Sequence, residues 1–160
     1  AVSRPATAQE QPEPTFRLGS AVKSTLLDPT TYAPALLGFD ATMRDWKSSQ
    51  PFFANGYVEA NARFTTSGRP FDQAISYEDG RTQILKDALS VFEVSLVQNF
   101  SSRLVEQSLL KRFPEHSRMV KTIGWIERIS VASLLSYHLA GPHYRQWRQN
   151  ETLAVQFGYR

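Results

Sequence analysis

Leu36, Phe39, Met43 and Trp46 recur at intervals of three and four, the repeat of one face of an α-helix. Asp28 or Thr30 can cap that run and Pro34 suits a first helical turn, so the pattern predicts a helix from Tyr32 to Ser48, stopped by Ser-Ser-Gln-Pro. Between Pro51 and Asp79 the periodicity lapses into Asn-Gly, Ser-Gly-Arg-Pro and Glu-Asp-Gly-Arg, which read as loop, with room for a short helix over Val58 to Phe64.

Two longer runs follow. Leu85, Leu89, Phe92, Leu96, Phe100 and Leu104 form a stripe within a helix over 81–113, with Ile84, Val91, Val94, Val97 and Val105 spreading apolar surface around it. Such a helix is expected at the centre of a bundle. Lys111 and Arg112 suit its carbonyl end and Pro114 stops it. Ser117 can then cap a helix over 118–140, with Met119, Ile123, Ile126, Leu134 and Tyr137 on one side and the small residues Ala132, Ser136 and Ala140 recurring every fourth position. Small residues let another helix approach closely. Gly141-Pro142 is expected to end this helix, and an amphipathic one is predicted from His143 to Val155.

No two alternating runs are joined by a tight turn, so the chain reads as all-α. The predicted architecture is a small helical bundle built on a long antiparallel hairpin of the 81–113 and 118–140 helices. The Tyr32 to Ser48 helix lies across it and the C-terminal helix flanks it. Residues 1–20 contain three prolines and little to bury, which predicts an extended Pro-rich tail ahead of a single helical domain over 21–160.

A membrane span needs roughly 20 largely apolar residues. The third helix offers only 13 without charge, Ile129 to Gly141, and Glu93 interrupts the second. A charge at the centre of a span costs about 2.5 to 3.5 kcal/mol, which argues against insertion and for packing within the bundle.

Charge alters the picture modestly. The formal net charge is +3, of which residues 83–160 carry +4 and residues 1–82 carry −1. That bias suits an acidic protein partner or an anionic lipid surface and is too small for a nucleic-acid signature. Cysteine is absent, which removes disulfides and thiolate chemistry. The opening "AVSRPATAQ" resembles an end left by signal peptidase, from which an extracytoplasmic location is expected, periplasmic or secreted, with membrane association as an extension of it.

Candidate chemistry is sparse. His138 and His143 flank the Gly-Pro pair, and neither has an acidic residue within four positions, so no metal site and no cofactor are expected. No nucleophile elbow or phosphate loop appears, and the chain is expected not to be an enzyme. Asp40 and Glu93 fall on or beside apolar helical faces and are candidates for buried carboxylates, with Lys86, Arg103 and Arg128 as cations to pair with them. The competing reading puts each at the edge of its face, reaching water. Tyr144, Arg145, Trp147 and Arg148 combine rings and cations as protein interfaces and lipid-headgroup layers do. Alternatively, those rings fold back onto the bundle.

"FDAT" at Phe39 to Thr42 and "EAN" at Glu59 to Asn61, followed by two long helices, resemble a pattern in small uncharacterised bacterial helical membrane-associated proteins. Where that pattern often continues with Pro-Leu, this chain has Ala62-Arg63. The resemblance implies helical architecture and membrane association, and no activity. Together these readings favour a non-catalytic accessory or structural subunit, meeting a protein partner or its own copies through the tail and the basic aromatic segment. The alternative is a module that binds a small ligand or lipid between the long helices, with Asp40 or Glu93 as polar anchor.

Overall fold

The computed structural model describes residues 18–159. Four α-helices carry the fold: α1 (Leu18–Leu26), α2 (Ala33–Ala54), α3 (Tyr77–Arg112) and α4 (Ser117–Phe157). Short 3₁₀ turns lie at Pro29–Thr31, Ala62–Phe64 and Pro114–His116. No strand occurs among the described residues, only two isolated antiparallel bridges, Glu59 with Asp72 and Thr65 with Ala74. The chain is an all-α helical bundle.

At 1.5 Å per residue, α3 and α4 are about 54 and 61 Å long. They form the antiparallel hairpin, joined by the Pro114–His116 turn, and touch near it through Gln98, Ser102 and Glu106 on α3 and Glu127 and Arg128 on α4. Farther from the turn, α2 packs against both. The small-residue face of α4 permits this: Ala132 and Ala140 are buried, and a Cβ added at Gly38 of α2 would be in ordinary contact with that of Leu139, at 3.6 Å.

The apolar interior is compact and lies at the other end of α3. Trp46, Phe64 and Ile84 are buried together, with Phe39, Met43, Phe53, Ala74, Ile75 and Tyr77 packed around them. The Trp46 indole Nε1–H donates to the Tyr77 carbonyl at 3.1 Å, anchoring α2 to the start of α3. Gly80 is required there, because a Cβ would fall 2.3 Å from the indole ring. Ser76 caps α3, its hydroxyl accepting from the Asp79 amide at 3.1 Å.

Several expectations need correction. The Pro-rich tail of 1–20 was expected to be extended, but residues 18–20 open α1, and 1–17 lie outside the described residues. Helix α1 buries only Ala21 and Thr25, a pair four residues apart with no large apolar side chain to announce it. The predicted Tyr32 to Ser48 helix continues to Ala54 through Pro51, and the short helix over Val58 to Phe64 shrinks to a 3₁₀ turn.

The largest correction concerns Gly141-Pro142, which does not end a helix. Helix α4 runs through it without interruption. Proline frees the carbonyl of the residue four before it. That residue is His138, exposed like Pro142, so water can satisfy the freed group. The same reasoning covers Pro51, whose freed carbonyl belongs to exposed Lys47.

The buried face of α3 also differs from the predicted stripe. Gly80, Ile84, Ser95 and Asn99 are buried, while Leu85 and Leu89 are exposed. Polar residues therefore occupy part of the interior, and leucines look outward.

Candidate interaction surface

Set back from the hairpin turn, the contacts between elements are ionic. Arg128 on α4 is only 2% exposed; its Nη1 donates to Glu106 Oε2 at 2.7 Å and its Nε lies 3.3 Å from Asp28 Oδ2. Arg103 on α3 donates to the same Asp28 oxygen at 2.7 Å and lies 3.8 Å from Glu106. Asp28 itself sits in the link between α1 and α2, where the backbone and hydroxyl of Thr30 both donate to its Oδ1, at 3.1 and 2.7 Å. Buried Asn99 then donates to the hydroxyls of Thr30 and Thr31, each at 2.8 Å. One short segment thus ties both long helices together.

Burial pushes the Asp28 carboxyl up, but the hydrogen bonds from Thr30 and the charge of Arg103 outweigh it and hold the group below its ordinary value. The carboxylate is therefore the form this cluster stabilises. A guanidinium as deeply buried as that of Arg128 needs such partners, because desolvating an unpaired charge costs several kcal/mol, on the order of the whole stability of a small domain.

Of the residues expected to be buried polar groups, Arg103 and Arg128 belong to this cluster. Asp40 and Glu93 do not. The Asp40 side chain is 45% exposed; it accepts from Arg44 Nε at 2.7 Å and from the Tyr144 hydroxyl at 2.8 Å. These two bonds, Arg44 first, hold its carboxyl below the usual range, and the bond to Asp40 raises the Tyr144 phenol. Glu93 is exposed, since at 100° per residue it falls on the opposite side of α3 from buried Ser95. Neither lines the cleft between α3 and α4.

The basic aromatic segment is divided by the fold. Tyr144 and Trp147 turn onto α2: beyond the bond to Asp40, the Arg44 guanidinium lies 4.8 Å from the Trp147 ring centroid, and the two rings are 6.3 Å apart. Arg145 and Arg148 remain exposed. The reading in which the rings fold back describes this half of the segment.

A third polar group escaped the sequence reading. His143 Nδ1 lies 2.7 Å from Asp45 Oδ2, and the buried Asn150 amide donates to Asp45 Oδ1, Ser48 and Ser49 at 3.3, 3.1 and 2.9 Å. The acid comes from α2, 98 positions away, so no local pattern around His143 could reveal it. Beside it, Thr42 and Asn61 line the same cleft, which brings the "FDAT" and "EAN" segments together.

The outer faces of the hairpin carry the most conspicuous unfilled capacity. Leu85, Leu89, Val94 and Val97 of α3 are exposed, as are Trp125, Ile126, Leu134 and Tyr137 of α4. Scattered exposed leucines are ordinary, but exposed apolar side chains on both helices of the hairpin leave much apolar surface in water. No described helix is long and apolar enough to cross a membrane. Among the described residues no three histidine or carboxylate side chains converge as metal ligands. Compared with protein-family models, curated proteins and solved structures, the chain matches none.

Proposed function

We propose that this protein is a non-catalytic structural or accessory subunit of a larger assembly, in which the outer faces of α3 and α4 are covered by protein. The observation that carries this reading is the inversion within the hairpin. Its two helices are joined by an ionic and hydrogen-bonded cluster, while Val97, Ile126 and Leu134 are exposed. Apolar area removed from water stabilises association by roughly 25 cal/mol per Å², so covering these faces favours association.

In this proposal the contact surface moves from the rings of Tyr144 and Trp147, which α2 occupies, to the hairpin faces, with exposed Arg145 and Arg148 at its rim. An extracytoplasmic location, membrane association and kinship with helical membrane-associated proteins remain part of the same proposal. The juxtaposition of Thr42 and Asn61 supports that kinship.

The test is the native particle size of the tagged chain purified from its own cells in mild detergent, beside a variant carrying Val97→Lys and Leu134→Lys. A defined particle well above 18.1 kDa that falls to 18.1 kDa in the variant, with helical content unchanged, is expected. A wild-type chain that runs alone at 18.1 kDa removes the proposal.

A further inference from the structure

Between α3 and α4, beside the turn, lies a cleft of about 610 Å³, within the range of sites that hold small molecules. Its walls are almost wholly apolar: Val105, Leu109 and Phe113 from α3 face Met119, Val120 and Ile123 from α4. From the level of Ser102 to that of Phe113 it follows α3 for about 16 Å, at 1.5 Å per residue. Its far end is polar, where Ser102, Glu106 and Glu127 reach the wall.

The charges at that end do not balance. Asp28, Glu106 and Glu127 are three carboxylates, and Arg103 and Arg128 are two guanidiniums. Both guanidiniums are engaged by Asp28 and Glu106. Glu127 accepts from the Gln98 amide at 2.8 Å and from the Ser102 hydroxyl at 2.5 Å, and no cation among the described residues lies within ion-pair distance of it. Gly124 lets Glu106 close on the helix backbone, since a Cβ there would meet its Oε2 at 2.7 Å. The surplus negative charge therefore rests at the polar end of an apolar trough.

From this complementarity we infer that the cleft binds an amphipathic primary amine, its alkyl chain between α3 and α4 and its ammonium on Glu127. A carboxylate head at that end meets repulsion from Glu106 and Glu127. A neutral head gains no ion pair, and a quaternary head cannot donate to the Glu127 carboxylate. The site is separate from the outer faces assigned to assembly and stands or falls independently of them.

Calorimetric titration of the full chain with decylammonium, decanol and decanoate, each below its aggregation threshold, tests this. Decylammonium is expected to bind at least about tenfold more tightly than decanol, the usual contribution of a charge-assisted hydrogen bond, with decanoate weakest. Glu127→Gln should lower amine affinity to the alcohol's level and leave the alcohol unchanged. Ile123→Trp, at an exposed position that closes the trough, should abolish both. Circular dichroism certifies that each variant folds. Equal binding of amine and alcohol, an amine preference that survives Glu127→Gln, or no amine binding at all would each overturn the assignment.

Discussion

Arg128 on α4 and Glu106 on α3 meet at 2.7 Å with the guanidinium almost wholly removed from water, and this pair joins the two long helices at the polar end of the cleft beside their turn. Removing one partner of a buried pair typically costs about 3 to 5 kcal/mol, because the other charge is left desolvated. Arg128→Met is expected near the lower end, since Arg103 remains beside both carboxylates. The double variant Glu106→Leu with Arg128→Met should recover most of the loss, as apolar replacement of both partners often does. Urea unfolding of the two variants decides it. Equal losses in both would mean that the pair acts through something other than its charges.

Asp28 gives the cluster a pH dependence of definite sign. Its carboxyl lies below its ordinary value in the folded chain, so the stability it contributes is fully present above the unfolded value of about 3.9 and is lost as pH falls through the folded value. Asp28→Asn should be less stable than wild type at neutral pH, and the gap should narrow as pH drops below about 4. A gap that is constant from pH 7 to pH 3 would show that the carboxylate's charge is irrelevant.

Gly80→Ala sets two effects against each other. Alanine favours a helix interior over glycine by about 1 kcal/mol, while overpacking a filled site costs about 1 to 3 kcal/mol. With Trp46 anchored to the Tyr77 carbonyl and its ring 2.3 Å from the new Cβ, overpacking should win, and the variant should melt at a lower temperature. A higher melting temperature would mean that the indole moves aside freely.

Pro142→Ala tests the continuity of α4. Within a helix the substitution restores a hydrogen bond to His138 and is worth up to about 3 kcal/mol, reduced by the greater freedom it gives the unfolded chain. A gain of about 1 to 3 kcal/mol is expected, together with hydrogen-exchange protection at the new amide. No change in either would restore the break that the sequence suggests.

The class of fold and the hairpin were legible because 3.6-residue periodicity and Pro114 are local signals. The inner faces were not. Leu85 and Leu89 match a helical stripe as well as Ile84 and Ala88 do, and only the position of α2 decides which set is covered. Arg103 and Arg128 could be named as candidates, but Asp28 was read as a helix cap, and nothing local tells a cap from the shared acid of two buried arginines. Pro142 misled for a related reason. Its cost depends on whether the freed carbonyl reaches water, which is a property of the tertiary surface.

The ionic seam also governs how α3 can lie against α4. Apolar side chains tolerate sliding, since one methyl group contacts another almost as well after a small shift. Fixed charges do not. Moving either helix by one turn, about 5.4 Å, would carry Arg128 away from Glu106 and Asp28 together, so intermediate offsets are costly and the hairpin has one discrete register. Any mutation that neutralises the seam should therefore loosen alignment along the helix axis before it unfolds the chain.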